Sequence, residues 1–211
     1  YTLKYYERND KIIILLNLVI MKMVLGNLKK ISFELPVPSD EIKIEIRNEI
    51  NIQTIKLAGN QANISDSPIY LRIYANNIPN LTMIDLPGMT MVACTDRGQP
   101  LNIKHKIRSL ISKYIHDPKT IILAVLPART DIEADIGMDL IKEHDPKGER
   151  TIGILTKVDL MNKNTDVCHY LENNISKDLQ LTYGYYVVRN RTTHETSTLT
   201  VLQGFEKEKV F

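Results

Sequence analysis

The stretch TIILAVLPARTDIEADIGMDLIKEHDPKGERTIGILTKVD, residues 120–159, decides the fold. Residues 120–125 (TIILAV) are β-branched and apolar throughout, the composition of a parallel strand covered on both faces. Residues 131–144 read as a helix, closed by Asp145-Pro146-Lys147-Gly148. Residues 151–155 (TIGIL) are a second strand of the buried type. Strand, helix and strand in about forty residues make a βαβ unit, whose crossover is right-handed and whose strands run parallel.

The same alternation extends outward. Upstream, residues 104–115 place Ile107, Leu110, Ile111, Tyr114 and Ile115 at helical spacings before Asp117-Pro118 ends the run. Before that helix, residues 69–74 (IYLRIY) and 81–84 (LTMI) read as strands separated by a turn at Asn76-Asn77-Ile78-Pro79-Asn80. Residues 33–50 fit strand or helix, with Ser39-Asp40-Glu41 offering a helix start. Downstream, residues 167–179 suit a helix, 185–189 a strand and 197–209 a final helix. The expectation is an α/β layered domain with a mostly parallel sheet and helices on both faces.

Composition excludes several classes. Hydrophobic residues at 43% and charged residues at 25% place the 211-residue chain among globular domains rather than disordered polymers. A net charge of +2, with no run of five like charges, leaves no electrostatic footprint for nucleic acid. Cys94 and Cys168 are far apart and form no C-x-x-C pair, so a reducing, cytoplasmic compartment is expected. No secretory signal opens the chain at Tyr1, and the N-x-S/T sequons at Asn63, Asn80, Asn174 and Asn190 are read as chance. His105, His116, His144, His169 and His194 show no metal-ligand spacing. The apolar run IIILLNLVIMKMVLGNL, residues 12–28, is short for a bilayer crossing and carries Lys22 near its middle, so a buried strand or helix is expected there.

In a parallel sheet, ligands bind beyond the carboxyl ends of the strands, so the residues after each strand carry the chemistry. After LTMI comes Asp85-Leu86-Pro87-Gly88, a D-x-x-G pattern. The Asp85 carboxylate can hold magnesium through a water, and the bare Gly88 backbone can donate its N–H to a terminal phosphate oxygen. After TIGIL comes Thr156-Lys157-Val158-Asp159. The lysine stem can lie along a purine face, while the Asp159 carboxylate accepts from the N1–H and exocyclic amino group of guanine. Adenine has an acceptor at N1 and no such amino group, so it would leave a buried carboxylate unpaired. Asn190-Arg191-Thr192, after YYVV, offer a third loop near base or sugar. Either tetrapeptide alone is commonly an ordinary turn. One helix, one strand and a second helix between them put both on one sheet edge.

With those motifs in view, the chain resembles the GTPase domain of the dynamin superfamily, including the Mx antiviral proteins. The strings that carry the resemblance are NLTMIDLPGMT, IRSLISKYIHDPKTIILAVLPARTDI, EHDPKGERTIGILTKVDLMNKNTD and YYVVRNR, and the similarity runs from about Ser65 to Arg191. The resemblance implies a P-loop GTPase-like sheet and binding of GTP with Mg2+. It assigns Asp85, Leu86, Pro87 and Gly88 to the magnesium and γ-phosphate region, with Asp85 holding Mg2+ through water. Thr156, Lys157, Val158 and Asp159 are assigned to guanine, and Asn190 and Arg191 to the last nucleotide loop. No side chain is assigned a catalytic role. Residues 1–64 match poorly, 65–191 form the motif-bearing core and 192–211 a C-terminal helix. The family's activity implies GTP hydrolysis to GDP and phosphate coupled to self-assembly through the G domain and a stalk absent from these residues. Membranes, microtubules or viral particles are the implied targets, in the cytoplasm or at membrane or microtubule surfaces.

One large departure and two smaller ones stand against this pattern. The phosphate cradle G-x-x-x-x-G-K-S/T occurs nowhere in the chain. The N-terminal strand leading into that loop is therefore expected to be missing, and turnover by these residues alone to be negligible. A catalytically inactive G-domain remnant acting through protein contacts is the alternative. The vacated slot in the sheet needs a filler, and the run at residues 12–20 is chemically suited to it. Smaller departures are the extra residues in Thr95-Asp96-Arg97-Gly98-Gln99-Pro100, where the family has G-D-Q-P, and Asn162, where relatives place an aspartate.

Overall fold

The computed structural model describes residues 11–15, 40–59, 63–71, 81–89, 92–129, 131–161 and 166–210. Five strands, β1 (Lys11–Leu15), β2 (Thr82–Leu86), β3 (Thr120–Pro127), β4 (Thr151–Thr156) and β5 (Tyr185–Val188), form one sheet in the order β2-β1-β3-β4-β5. Every neighbouring pair is parallel. The helices are α1 (Asp40–Ala58), α2 (Ile103–Ile115), α3 (Ile136–His144), α4 (Cys168–Leu171), α5 (Thr193–Thr198) and α6 (Val201–Lys209). A parallel sheet flanked by helices is the α/β architecture expected from the alternating segments.

The slot expected to lack a strand is filled. Lys11–Leu15 lies between β2 and β3, with Ile13 opposite both Ile84 and Ile122, so the backbone groups of both neighbours find ladder partners. The rest of the apolar run, residues 16–28, lies outside the described residues. Among the described residues no helix is long and apolar enough to cross a membrane.

Helices α2 and α3 pack on each other and on β3. Ile107, Leu110, Ile111 and Ile115 of α2 and Met138, Leu140 and Ile141 of α3 join Ile122, Ala124, Leu126 and Leu155 in the core. Burial along β3 therefore alternates. Thr120, Ile122, Ala124 and Leu126 are buried, whereas Ile121, Leu123 and Val125 on the opposite face are only partly covered. At the amino end of the sheet, Arg150 ties three elements together. Its Nη2 donates to the carbonyls of Ile115 and His144, each at 2.7 Å, and its Nη1 to that of Thr120 at 3.0 Å. The Ile115 and His144 carbonyls are orphans at two helix C-termini, and the Thr120 carbonyl opens β3, so one cation satisfies all three.

Several boundaries differ from the sequence reading. Asp135 caps α3, accepting from the N–H groups of Gly137 at 2.8 Å and Met138 at 3.3 Å, so the helix begins at Ile136 rather than at 131. The helix expected over 167–179 shrinks to α4, because Asn173 enters the left-handed region at φ 55° and the chain then turns Leu179 and Leu181 into the core. The final helix is two. Leu199 is extended, and Thr192 and Thr200 each begin a capping box, with Glu195 and Gln203 as the third helical residues. Residues 40–50, open between strand and helix, are helical in α1. Of the strand expected at 69–74, only Ile69, Tyr70 and Leu71 are described, with Tyr70 a single bridge residue. The turn at 76–80 lies outside the described residues.

Candidate functional site

All five strands point the same way, so the loops after β2, β4 and β5 open on one edge of the sheet. Asp85 is the fourth residue of β2, level with Ile14, Leu123 and Ile152 across the sheet. Thr156 lies four positions beyond Ile152 and pairs with Pro127 and Val188. Between β2 and β4 lie β1 and β3, so the two tips stand about 14 Å apart across the sheet at the usual interstrand spacing.

At the β2 tip, Leu86 enters the core while Asp85 reaches solvent. The protein mass around Asp85 still pushes its carboxyl pKa up from the ordinary value, opposed by a hydrogen bond from the Leu86 N–H. Pro87, Gly88 and Met89 then wall a cavity of about 100 Å³ against the end of β3 and the capped start of α3. Among the described residues no group of three or more His, Cys, Asp or Glu is placed to hold a metal. A single carboxylate at a strand tip fits Mg2+, which keeps most of its shell as water and phosphate oxygens and takes one or two protein carboxylates.

At the β4 tip, Thr156 is buried and its Oγ1 donates to the Leu126 carbonyl at 3.2 Å, while the Ala128 N–H donates to the Thr156 carbonyl at 2.8 Å. Val158, 8% exposed, plugs into the core at the start of the 3-10 turn Val158–Leu160. That plug forces Lys157 into the left-handed region at φ 58°, a conformation costing a non-glycine residue about 1 kcal/mol, and leaves Asp159 partly exposed on the turn.

Beyond β5, Asn190 is exposed. The Arg191 side chain runs along α6, where Gly204 leaves room for its stem, and its Nη1 donates to the Leu199 carbonyl at 2.6 Å. Its guanidinium is thereby directed at the α5–α6 junction.

Sequence reasoning missed the network behind this loop. Glu195 of α5, 8% exposed, accepts from Arg189 Nη2 with both oxygens at 3.0 and 3.2 Å, from Lys207 Nζ at 2.9 Å and from the Thr192 N–H at 3.0 Å. The Arg189 N–H donates to Glu208 Oε1 at 2.9 Å. Arg189, then Lys207 and the Thr192 N–H, pull the Glu195 pKa down to about 2. The Glu195 hydrogen bond raises that of Arg189, and the charges on Asp159 and Glu208 add to the effect. The signal that would have found this network is the T-x-x-E spacing of Thr192 and Glu195, which announces a capping box. Asn162 lies outside the described residues. The Thr95-to-Pro100 segment forms a 3-10 turn, Thr95–Arg97, closed by Gly98 at φ 79°, with Gln99 Oε1 accepting from the Cys94 N–H.

Comparison with known proteins bears on this edge of the sheet. The sequence model of the Dynamin family matches residues 27–158. Dynamin of Drosophila melanogaster is 45% identical over 148 residues, covering 70% of this chain and 16% of that protein. Dynamin-B of Dictyostelium discoideum is 44% identical over 151 residues, 72% of this chain and 16% of its own length. Vacuolar protein sorting-associated protein 1 of Schizosaccharomyces pombe is 46% identical over 147 residues, 70% of this chain and 21% of that protein. The matched part thus spans about a sixth to a fifth of these relatives. With more than half its length matched by the family's sequence model, the chain belongs to the dynamin family.

Proposed function

We propose that this chain is part of the G domain of a dynamin-type GTPase that binds GTP with Mg2+ and hydrolyses it to GDP and phosphate. The observation that carries the reading is the presence of two acidic residues at the carboxyl ends of strands, Asp85 in the last but one position of β2 and Asp159 after β4, on one edge of a parallel sheet in a dynamin-family chain. Asp85, with Leu86, Pro87 and Gly88, attends the metal and the terminal phosphate. Bound Mg2+ would neutralise charge on the phosphate oxygens. Thr156, Lys157 and Val158 shape the base pocket, Asp159 accepts from the guanine edge, and Asn190 and Arg191 close it through the loop backbone.

The larger role follows from the family: self-assembly of like chains through the G domain and stalk segments beyond these residues, acting at cytoplasmic membranes, with microtubules or viral particles as alternative targets. The alternative reading is a catalytically inactive G-domain remnant acting through protein contacts.

Titration of fluorescent GTP and ATP, each with Mg2+, separates the two. Micromolar binding selective for GTP, weakened at least about tenfold by Asp159→Ala, supports the nucleotide site. Equal or absent binding of both nucleotides supports the remnant.

A further inference from the structure

The guanine edge and an arginine side chain offer a carboxylate the same thing, two parallel N–H donors. Arg189 stands at the end of β5, one strand from β4, whose continuation carries Asp159. The two are close enough for Asp159 to act on the Arg189 charge. A cation of this shape within electrostatic reach of the carboxylate read as the guanine acceptor is a built-in competitor for it.

We propose that Glu195 is a positioning residue of the base corner, holding the Arg189 guanidinium on α5 and so leaving the Asp159 carboxylate to the nucleobase. This rests on the reading of Asp159 as the guanine acceptor. Glu195 is fitted to the task. Both of its oxygens engage Arg189 Nη2, its side chain is only 11% exposed, and that of Arg189 12%. The carboxylate is itself fixed from two directions, by the Thr192 capping box and by Lys207 reaching across from α6. Glu208 fixes the Arg189 backbone N–H, so the start of the loop is anchored as well as the side chain. Two carboxylates, Glu195 and Glu208, thus hold an arginine whose release would put a mimic of guanine onto Asp159. Glu195→Gln keeps the shape and one acceptor oxygen but removes the charge that outbids Asp159.

The test has two arms. In nucleotide-free protein, the side-chain 1H–15N NMR signals of Arg189 are compared in the wild type and in Glu195→Gln, each with and without Asp159→Asn. The Arg189 signals are expected to move slightly with Asp159→Asn in the wild type, through the lost field of that charge, and to shift severalfold more in the Glu195→Gln background. An equal response in both backgrounds overturns the proposal. In the second arm, affinities for labelled GDP and IDP are measured, since inosine lacks the exocyclic amino group. Glu195→Gln is expected to cut the GDP-to-IDP preference by about tenfold, and Glu195→Gln combined with Arg189→Met to restore it. An equal loss for both nucleotides, unrescued by Arg189→Met, means that the loop has merely loosened and also overturns it. If the wild type binds neither nucleotide, the base-reading function falls, and the NMR arm alone decides whether Glu195 restrains Arg189.

Discussion

Glu195 also sets an acid limit on the fold. Its carboxyl titrates at about 2 in the folded protein, against an ordinary value of 4.5, because Arg189 and Lys207 favour its charged form. A depressed carboxylate adds stability that is complete above the unfolded-state value and is lost as pH falls through the folded one. Urea unfolding of the wild type and Glu195→Gln is therefore expected to show a stability difference that is constant from pH 7 to about 5, shrinks below about 4.5 and disappears near pH 2. A difference that does not change across that window would show that the ion pairs play no part. Single residues were unevenly legible in the sequence. Asp85 and Asp159 stood out because an acidic side chain at a strand tip is chemically exposed by its position. Arg189 and Glu195 did not, because their partnership depends on how α5 folds back over the end of β5. Arg191 was assigned to the nucleotide loop without its guanidinium's bond to the Leu199 carbonyl being visible in any local pattern.

Among the elements, β4 matters most, since it presents Thr156, Lys157 and Asp159. Its middle residue, Gly153, lies opposite Tyr185 of β5, and a Cβ there would run into the Tyr185 ring. The ring is fixed by its hydroxyl, which donates to the Leu179 carbonyl at 2.7 Å, and by burial to 4% exposure. Burial also pushes the Tyr185 hydroxyl pKa up. Gly153→Ala is expected to destabilise the chain by about 3 kcal/mol in chemical denaturation, as overpacking of a rigid core does. Tyr185→Phe, which keeps the ring, should cost about 1 kcal/mol, the value of one hydrogen bond. The βαβ spine from β3 to β4 was legible because apolar runs of strand length alternate with amphipathic helical spacing. The broken helices were not. Asn173, Leu199 and the Asp135 cap each interrupt a periodicity that continues on both sides, and backbone capping wins locally over the hydrophobic pattern.

For the molecule as a whole, the central strand decides whether the two tips belong to one body. β1 is the element that joins β2 to β3, and it lies outside residues 27–158, which the family's sequence model matches. A proline in a central strand deletes a ladder donor and clashes with its neighbours. Ile13→Pro is accordingly expected to raise amide hydrogen exchange at Thr82–Leu86 by about a hundredfold or more while β4 and β5 stay protected. Uniform exchange across all strands would show instead that the sheet opens as one unit. The sequence showed that some strand must occupy this place, because a gap would orphan buried backbone. It showed only a suitable candidate for the place, since pairing between segments about seventy residues apart leaves no mark in local composition.

The register of β1 acts as a gauge. Sliding it by two residues against β2 would keep every side chain on its own side of the pleat, yet would move Asp85 about 7 Å along the strand axis relative to Asp159. The separation of the two carboxylates is thus calibrated by five residues that contain neither.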